Sequence, residues 1–105
     1  MVFRKSLYLG KSITNKYTLL WKLRHGYYSM GHYVISLSLG EDQLECIPCY
    51  YLKQRGVRET MGEVVGIARD YNEMLEVIVR MTEDSLKETG SADIKNYLIL
   101  QTGNE

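Results

Sequence analysis

The sequence predicts an α+β fold on the strength of two patterns. Apolar residues alternate with polar ones in the first two-thirds of the chain, and they recur at helical spacing in the last third. We expect an antiparallel sheet of about four to five strands from the first two-thirds, covered on one face by a main helix at about residues 71–83 and a short C-terminal helix. The length of 105 residues predicts a single globular domain, 1–105.

The first two strands are predicted at residues 5–9 and 16–24, with turn residues at 10–15 between them. Within 16–24, alternation divides the side chains between two faces of the strand. The face expected to enter the core carries Tyr17, Leu19, Trp21 and Leu23. The opposite face carries the cations Lys16, Lys22 and Arg24. This pattern predicts that aromatic and basic side chains lie on different faces of the sheet.

A hairpin is predicted from the alternating segment 33–39 and the extended segment 44–52. A two-residue loop at 41–42 would pair Leu39 with Leu44 and place apolar residues opposite each other along both strands. This register is the one that keeps an apolar face continuous across the pair.

Three further segments follow from local composition. Pro48 lacks a backbone N–H, so it predicts that the second hairpin strand lies at a sheet edge or contains a bulge. The polar residues 53–60 predict a loop, and the apolar run 63–68 predicts one more strand.

The last third of the chain carries helix signals. Asp70 and Glu73 have the spacing of a capping box, which predicts the start of the helix at 71–83. Gly90 is expected to end the helical region. Residues 92–101 suit a short helix, with a final strand as the alternative.

The net charge of zero conceals a gradient along the chain. Residues 1–60 contain nine basic and four acidic side chains, and residues 61–105 contain four basic and nine acidic ones. The basic half predicts an acidic protein or a nucleic acid as a partner. Alternatively, the two halves pack together and neutralise each other within the fold.

Nine tyrosines against one phenylalanine suggest a surface that is half-buried or meets a partner. Tyr27, Tyr28 and Met30 lie in a glycine-flanked loop, which makes them candidates for a binding patch together with the cations Lys16, Lys22 and Arg24. The alternative for this loop is a lid over one end of the core.

Few residues indicate chemistry. Cys46 and Cys49 resemble a dithiol pair, and with His25 and His32 they match the composition of a zinc site, although their order fits no zinc module. Residues 10–12 lack the upstream glycine of a phosphate-binding loop and predict a turn. No spacing suggests a catalytic triad. We therefore expect no enzyme activity, no cofactor and no metal.

The leading hypothesis is a small, non-catalytic, cytoplasmic protein that binds another protein. In size and layout the chain is similar to small phage and mobile-element proteins, including inhibitors or regulators of bacterial nucleic-acid enzymes, although no motif carries that similarity. The alternatives are a nucleic-acid-binding module that uses the basic half and a small zinc- or thiol-dependent protein. No membrane span is expected, and a homodimer is compatible with the sequence.

Overall fold

The computed structural model describes residues 1–28 and 31–102 and has an α+β architecture. Its strands are β1 (Phe3–Leu9), β2 (Tyr33–Leu37), β3 (Leu44–Pro48) and β4 (Val64–Ala68). Its α-helices are α1 (Lys16–Arg24), α2 (Arg55–Thr60), α3 (Tyr71–Thr89) and α4 (Ile94–Thr102), and a 3₁₀ helix covers Cys49–Lys53.

The four strands form a mixed sheet in the order β1-β4-β2-β3. β1 pairs with β4 in parallel, whereas β4–β2 and β2–β3 are antiparallel, so the prediction of an antiparallel sheet was wrong for one pair. β4 is central and every one of its residues is buried. A short, continuously apolar strand of this kind is typical of parallel pairing with both faces covered.

The predicted hairpin is confirmed, but its register differs. Leu37 pairs with Leu44, and the two strands are therefore joined by a longer connection than the predicted two-residue loop. The connection is held from outside the hairpin, because the Gln43 side chain accepts a hydrogen bond of 2.7 Å from the Ile94 amide. Leu39, expected inside the hairpin, is instead 72% exposed. β3 lies at an edge of the sheet, as Pro48 predicts, but it ends at Pro48, and residues 49–52 of the predicted strand form part of the 3₁₀ helix.

Two segments predicted as strand and loop are helices. Residues 16–24 form α1, which buries Leu20 and Leu23. The segment contains leucine, lysine and arginine, which favour helix. The strand predicted from its alternating side chains was therefore wrong. Residues 55–60 form α2, in which Arg55 and Glu59 make an ion pair one turn apart at 2.6 Å.

The sheet is packed on both faces, and not on one as predicted, because α1 covers the face opposite α3 and α4. Neighbouring strand residues enter different clusters of buried side chains, since successive side chains of a strand point to opposite faces. One cluster joins the sheet to α3 and α4 and includes Ile35, Val65, Met81 and Leu98. The other joins the sheet to α1 and the 3₁₀ helix and includes Val34, Ile67, Leu23 and Leu52.

The helix predicted at 71–83 is confirmed and extends to Thr89. The Asp70 carboxylate caps it by accepting a hydrogen bond of 2.9 Å from the Glu73 amide. Gly90 ends it with a φ of 73°, a left-handed conformation that favours glycine. The C-terminal segment is a helix and not a strand, and the Asp93 side chain accepts a hydrogen bond from the Asn96 amide in its first turn.

Candidate functional site

Helix α1 presents three large aromatic side chains to solvent, counting the turn that follows it. Tyr17 is 82% exposed, Trp21 54% and Tyr27 59%. The sequence prediction placed Tyr17 and Trp21 in the core, and the structure places them outside because Leu20 and Leu23 occupy the inward face of the helix. Tyr17, Trp21 and His25 are spaced four residues apart, and this spacing could have predicted that they lie on one face of a helix.

The aromatic rings hold one another in place. The rings of Trp21 and His25 stack with centroids 4.2 Å apart, and those of Trp21 and Tyr27 are nearly parallel at 5.9 Å. His25 Nδ1 donates a hydrogen bond of 2.7 Å to the Trp21 carbonyl. Gly26 turns the chain at a φ of 84°, which brings Tyr27 back over the helix end. The cluster is therefore preorganised, which lowers the entropy cost of binding.

The three predicted cations lie on the same helix as these rings. Within residues 1–28 and 31–102, none of Lys16, Lys22 and Arg24 pairs with a carboxylate. Lys16 donates to the Lys5 carbonyl at 3.1 Å, and Arg24 lies 5.2 Å from the ring centre of Phe3. Aromatic and basic side chains therefore lie on one helix at the surface of the protein. The alternation had indicated that a sheet separates them, and this expectation was wrong.

We name this surface the α1 patch. Its members are Lys16, Tyr17, Trp21, Lys22, Arg24, His25 and Tyr27. Part of the charge gradient is neutralised elsewhere in the fold: Arg4 and Lys11 pair with Glu63 and Glu76 at 3.0 and 3.7 Å. Within the part of the chain that the structure describes, the cations of the patch have no such carboxylate partner.

The predicted tyrosine loop divides between surface and core. Tyr27 belongs to the α1 patch, whereas Tyr28 is half-buried against the cluster beneath α1, with the guanidinium of Arg58 5.9 Å from its ring. Tyr28 thus lies where the core-lid alternative places it, whereas Tyr27 is exposed, and its role in binding stays a prediction. Met30 lies outside the described residues.

The four zinc candidates do not assemble. Cys46 is exposed, Cys49 is buried, and His25 stacks on Trp21 at the far end of α1. In the described part of the chain no group of three or more histidine, cysteine or acidic side chains has the arrangement of a metal site. Burial raises the pKa of Cys46, and it raises the pKa of Cys49 to about 12, so both thiols are poor nucleophiles at neutral pH.

A buried carboxylate ties two loops together beside α1. Glu73 accepts hydrogen bonds from the backbone amides of Arg69 and Ser12, at 2.9 and 3.3 Å. Burial alone would raise the pKa of Glu73, but these hydrogen bonds outweigh it and hold its pKa below 4.5. Sequence analysis identified Glu73 only as part of a capping box. In the structure it positions the loops that follow β1 and β4.

Among the residues described, no helix combines the length and the apolar character needed to cross a bilayer. Compared with protein-family models, with curated proteins and with solved structures, the chain has no match.

Proposed function

We propose that this protein is a non-catalytic binding module that contacts another protein through the α1 patch. The single observation that carries the proposal is the exposed, preorganised stack of Trp21 with His25 and Tyr27 on a helix that lacks acidic side chains. Tryptophan, tyrosine and arginine dominate the binding energy of protein interfaces. Exposed rings that already have their bound geometry lose little entropy on binding.

The charge of the patch defines the partner's chemistry. Residues 1–40 contain six cations and no acidic side chain, and the cations of the patch have no carboxylate partner in the described residues. A complementary surface is acidic around an apolar pocket that accepts the Trp21 side chain. Inhibition or regulation of a bacterial nucleic-acid enzyme by a phage or mobile-element protein, in the cytoplasm, is the biological setting that we propose with it.

Nucleic-acid binding is the second candidate function, and one observation favours it. Aromatic and basic side chains lie together on α1, which is the combination that single-stranded nucleic acid uses for stacking and phosphate contact. Against it, a base that stacks on Trp21 must compete with the rings of His25 and Tyr27. For this reason we place the protein partner first.

The experiment is affinity capture from a bacterial lysate with the wild type, with Trp21→Ala, and with Leu86→Ala as a control. Leu86 lies on α3, outside the patch, and is 48% exposed, so its loss removes a similar degree of exposed apolar surface. We expect one protein in near-stoichiometric amount with the wild type and with Leu86→Ala, and its loss with Trp21→Ala.

Nuclease and salt separate the two candidate functions. A protein–protein contact anchored by Trp21 survives nuclease treatment and loses less affinity between about 50 and 200 mM salt than phosphate contacts do, because phosphate contacts weaken steeply over that range. Recovery of nucleic acid that disappears with nuclease supports the second candidate. Equal capture by the wild type and by Trp21→Ala contradicts a role of the patch in either function.

A further inference from the structure

A second surface feature lies where the two parallel strands end. Since β1 and β4 run parallel, their carboxyl ends lie at the same edge of the sheet. Residues 10–15 follow β1 and lead into α1, and Arg69 follows β4. The edge formed by the carboxyl ends of parallel strands is a common place for ligands, because the loops there diverge and leave a crevice.

A cleft of about 220 Å³ opens at this edge. It is smaller than the roughly 300–1,000 Å³ of a site for a drug-sized molecule, so it suits a small ligand. Its polar lining includes three hydroxyl groups, two basic side chains and one imidazole. These side chains belong to Ser12, Thr14, Thr18, Lys22, Arg69 and His32.

The charges of the cleft favour an anion. Neither Lys22 nor Arg69 pairs with a carboxylate within the described part of the chain. The carboxylate of Glu73 accepts hydrogen bonds from the amides of Ser12 and Arg69 and does not line the cleft. The two cationic side chains therefore remain available to a ligand.

His32 adds an independent observation. Its Nδ1 atom is buried and has no hydrogen-bond partner among the described residues. Burial lowers the pKa of His32, and the nearby charges of Arg69 and Lys22 lower it further, against an opposing effect of Glu73. The charges of Arg69 and Lys22 thus act on the imidazole, and an anionic ligand that neutralised them would weaken their effect on its pKa.

We infer that this cleft binds a small phosphate monoester, held by Arg69, Lys22 and the hydroxyl groups of Ser12, Thr14 and Thr18. A guanidinium and an ammonium group suit a phosphate dianion, and its several oxygens accept hydrogen bonds from hydroxyl donors at the same time. Lys11 does not take part, since it pairs with Glu76 at 3.7 Å and lines a different cleft. The site therefore differs from a phosphate-binding loop, in which the lysine before the serine contacts phosphate.

The test is a titration of the ¹⁵N-labelled protein with inorganic phosphate and with adenosine 5′-monophosphate, followed by NMR at constant ionic strength set by sodium chloride. We expect saturable shifts of the amide signals of residues 12–18, His32 and Arg69 with both phosphate compounds. Adenosine, which carries no phosphate, is expected to produce none. Shifts that scale linearly with concentration, or that spread equally to the cations of α2, contradict a specific site.

Variants assign the binding to the cleft. Arg69→Gln and Lys22→Gln are each expected to weaken binding about tenfold or more, because each removes a charged hydrogen-bond donor. Lys53→Gln, a lysine change at the exposed end of the 3₁₀ helix, serves as the matched control and is expected to leave affinity unchanged. Both cleft side chains are exposed, so these variants are expected to fold. Equal affinity of Arg69→Gln and the wild type overturns the inference.

Discussion

Gly10 and Glu73 are in direct contact, and a β-carbon on residue 10 would overlap the Glu73 carboxylate. The same carboxylate accepts hydrogen bonds from the amides that follow β1 and β4. The absence of a side chain at position 10 therefore allows a residue from α3 to hold both loops at the carboxyl edge of the sheet.

Gly10→Ala is expected to lower the free energy of unfolding by about 1–3 kcal/mol, because Glu73 must leave its amide partners to make room. Urea denaturation provides the measurement. Gly56→Ala is the matched control: its added β-carbon meets nothing within 4 Å, so we expect no loss of stability. In a double-mutant cycle, Gly10→Ala should cost much less when Glu73 is already alanine. Additive effects of the two changes would contradict the contact.

Glu73 is expected to contribute to stability in a pH-dependent way. Its pKa in the folded protein lies below 4.5, so the folded state binds its proton less readily than the unfolded state does. The contribution is full above pH 4.5 and is lost as pH falls through the folded pKa. Unfolding measured from pH 7 to 3 should therefore show a smaller difference between the wild type and Glu73→Gln at the acid end. The control is Glu76→Gln on the same helix, where the side chain is 55% exposed. We expect its free energy of unfolding to differ little from that of the wild type.

His32 is expected to destabilise the fold in mild acid. Its pKa lies below 6.5 in the folded protein, because burial and the charges of Arg69 and Lys22 oppose protonation more than Glu73 favours it. The unfolded state therefore takes up the proton first, and stability falls as pH drops below 6.5 towards the folded pKa. His32→Asn should flatten this decline in thermal unfolding between pH 7 and 5. His25→Asn, at an exposed site, is the comparison, and an equal flattening there would refute the assignment to His32.

Trp21→Ala is expected to reduce binding with little effect on stability, whereas Leu23→Ala is expected to reduce stability. Trp21 is 54% exposed and Leu23 only 1%. Loss of Trp21 should reduce the free energy of unfolding by at most about 1 kcal/mol, whereas loss of Leu23 should reduce it by about 2–5 kcal/mol. Chemical denaturation distinguishes the two. A large loss of unfolding free energy for Trp21→Ala would contradict its exposed position. It would favour the predicted strand, in which Trp21 and Leu23 share the core face.

Local signals in the sequence determined the last third of the chain. The pair Asp70 and Glu73 marked the start of α3, and Gly90 marked its end, because caps depend on residues only a few positions apart. Pro48 likewise marked an edge strand, since its missing N–H excludes it from a central one. The hairpin was also predictable from alternation, although its register was not, and Gln43 in its connection bonds to Ile94, a residue about fifty positions away.

Only the tertiary structure decided the residues that form both candidate sites. Segment 16–24 alternates like a strand, but it forms a helix that packs Leu20 and Leu23 into the cluster beneath it. That helix exposes Trp21 and creates the α1 patch. The phosphate cleft depends on parallel pairing of β1 with β4, strands more than fifty residues apart along the chain. No local pattern encodes such a pairing, because its free energy comes from contacts formed when distant segments meet.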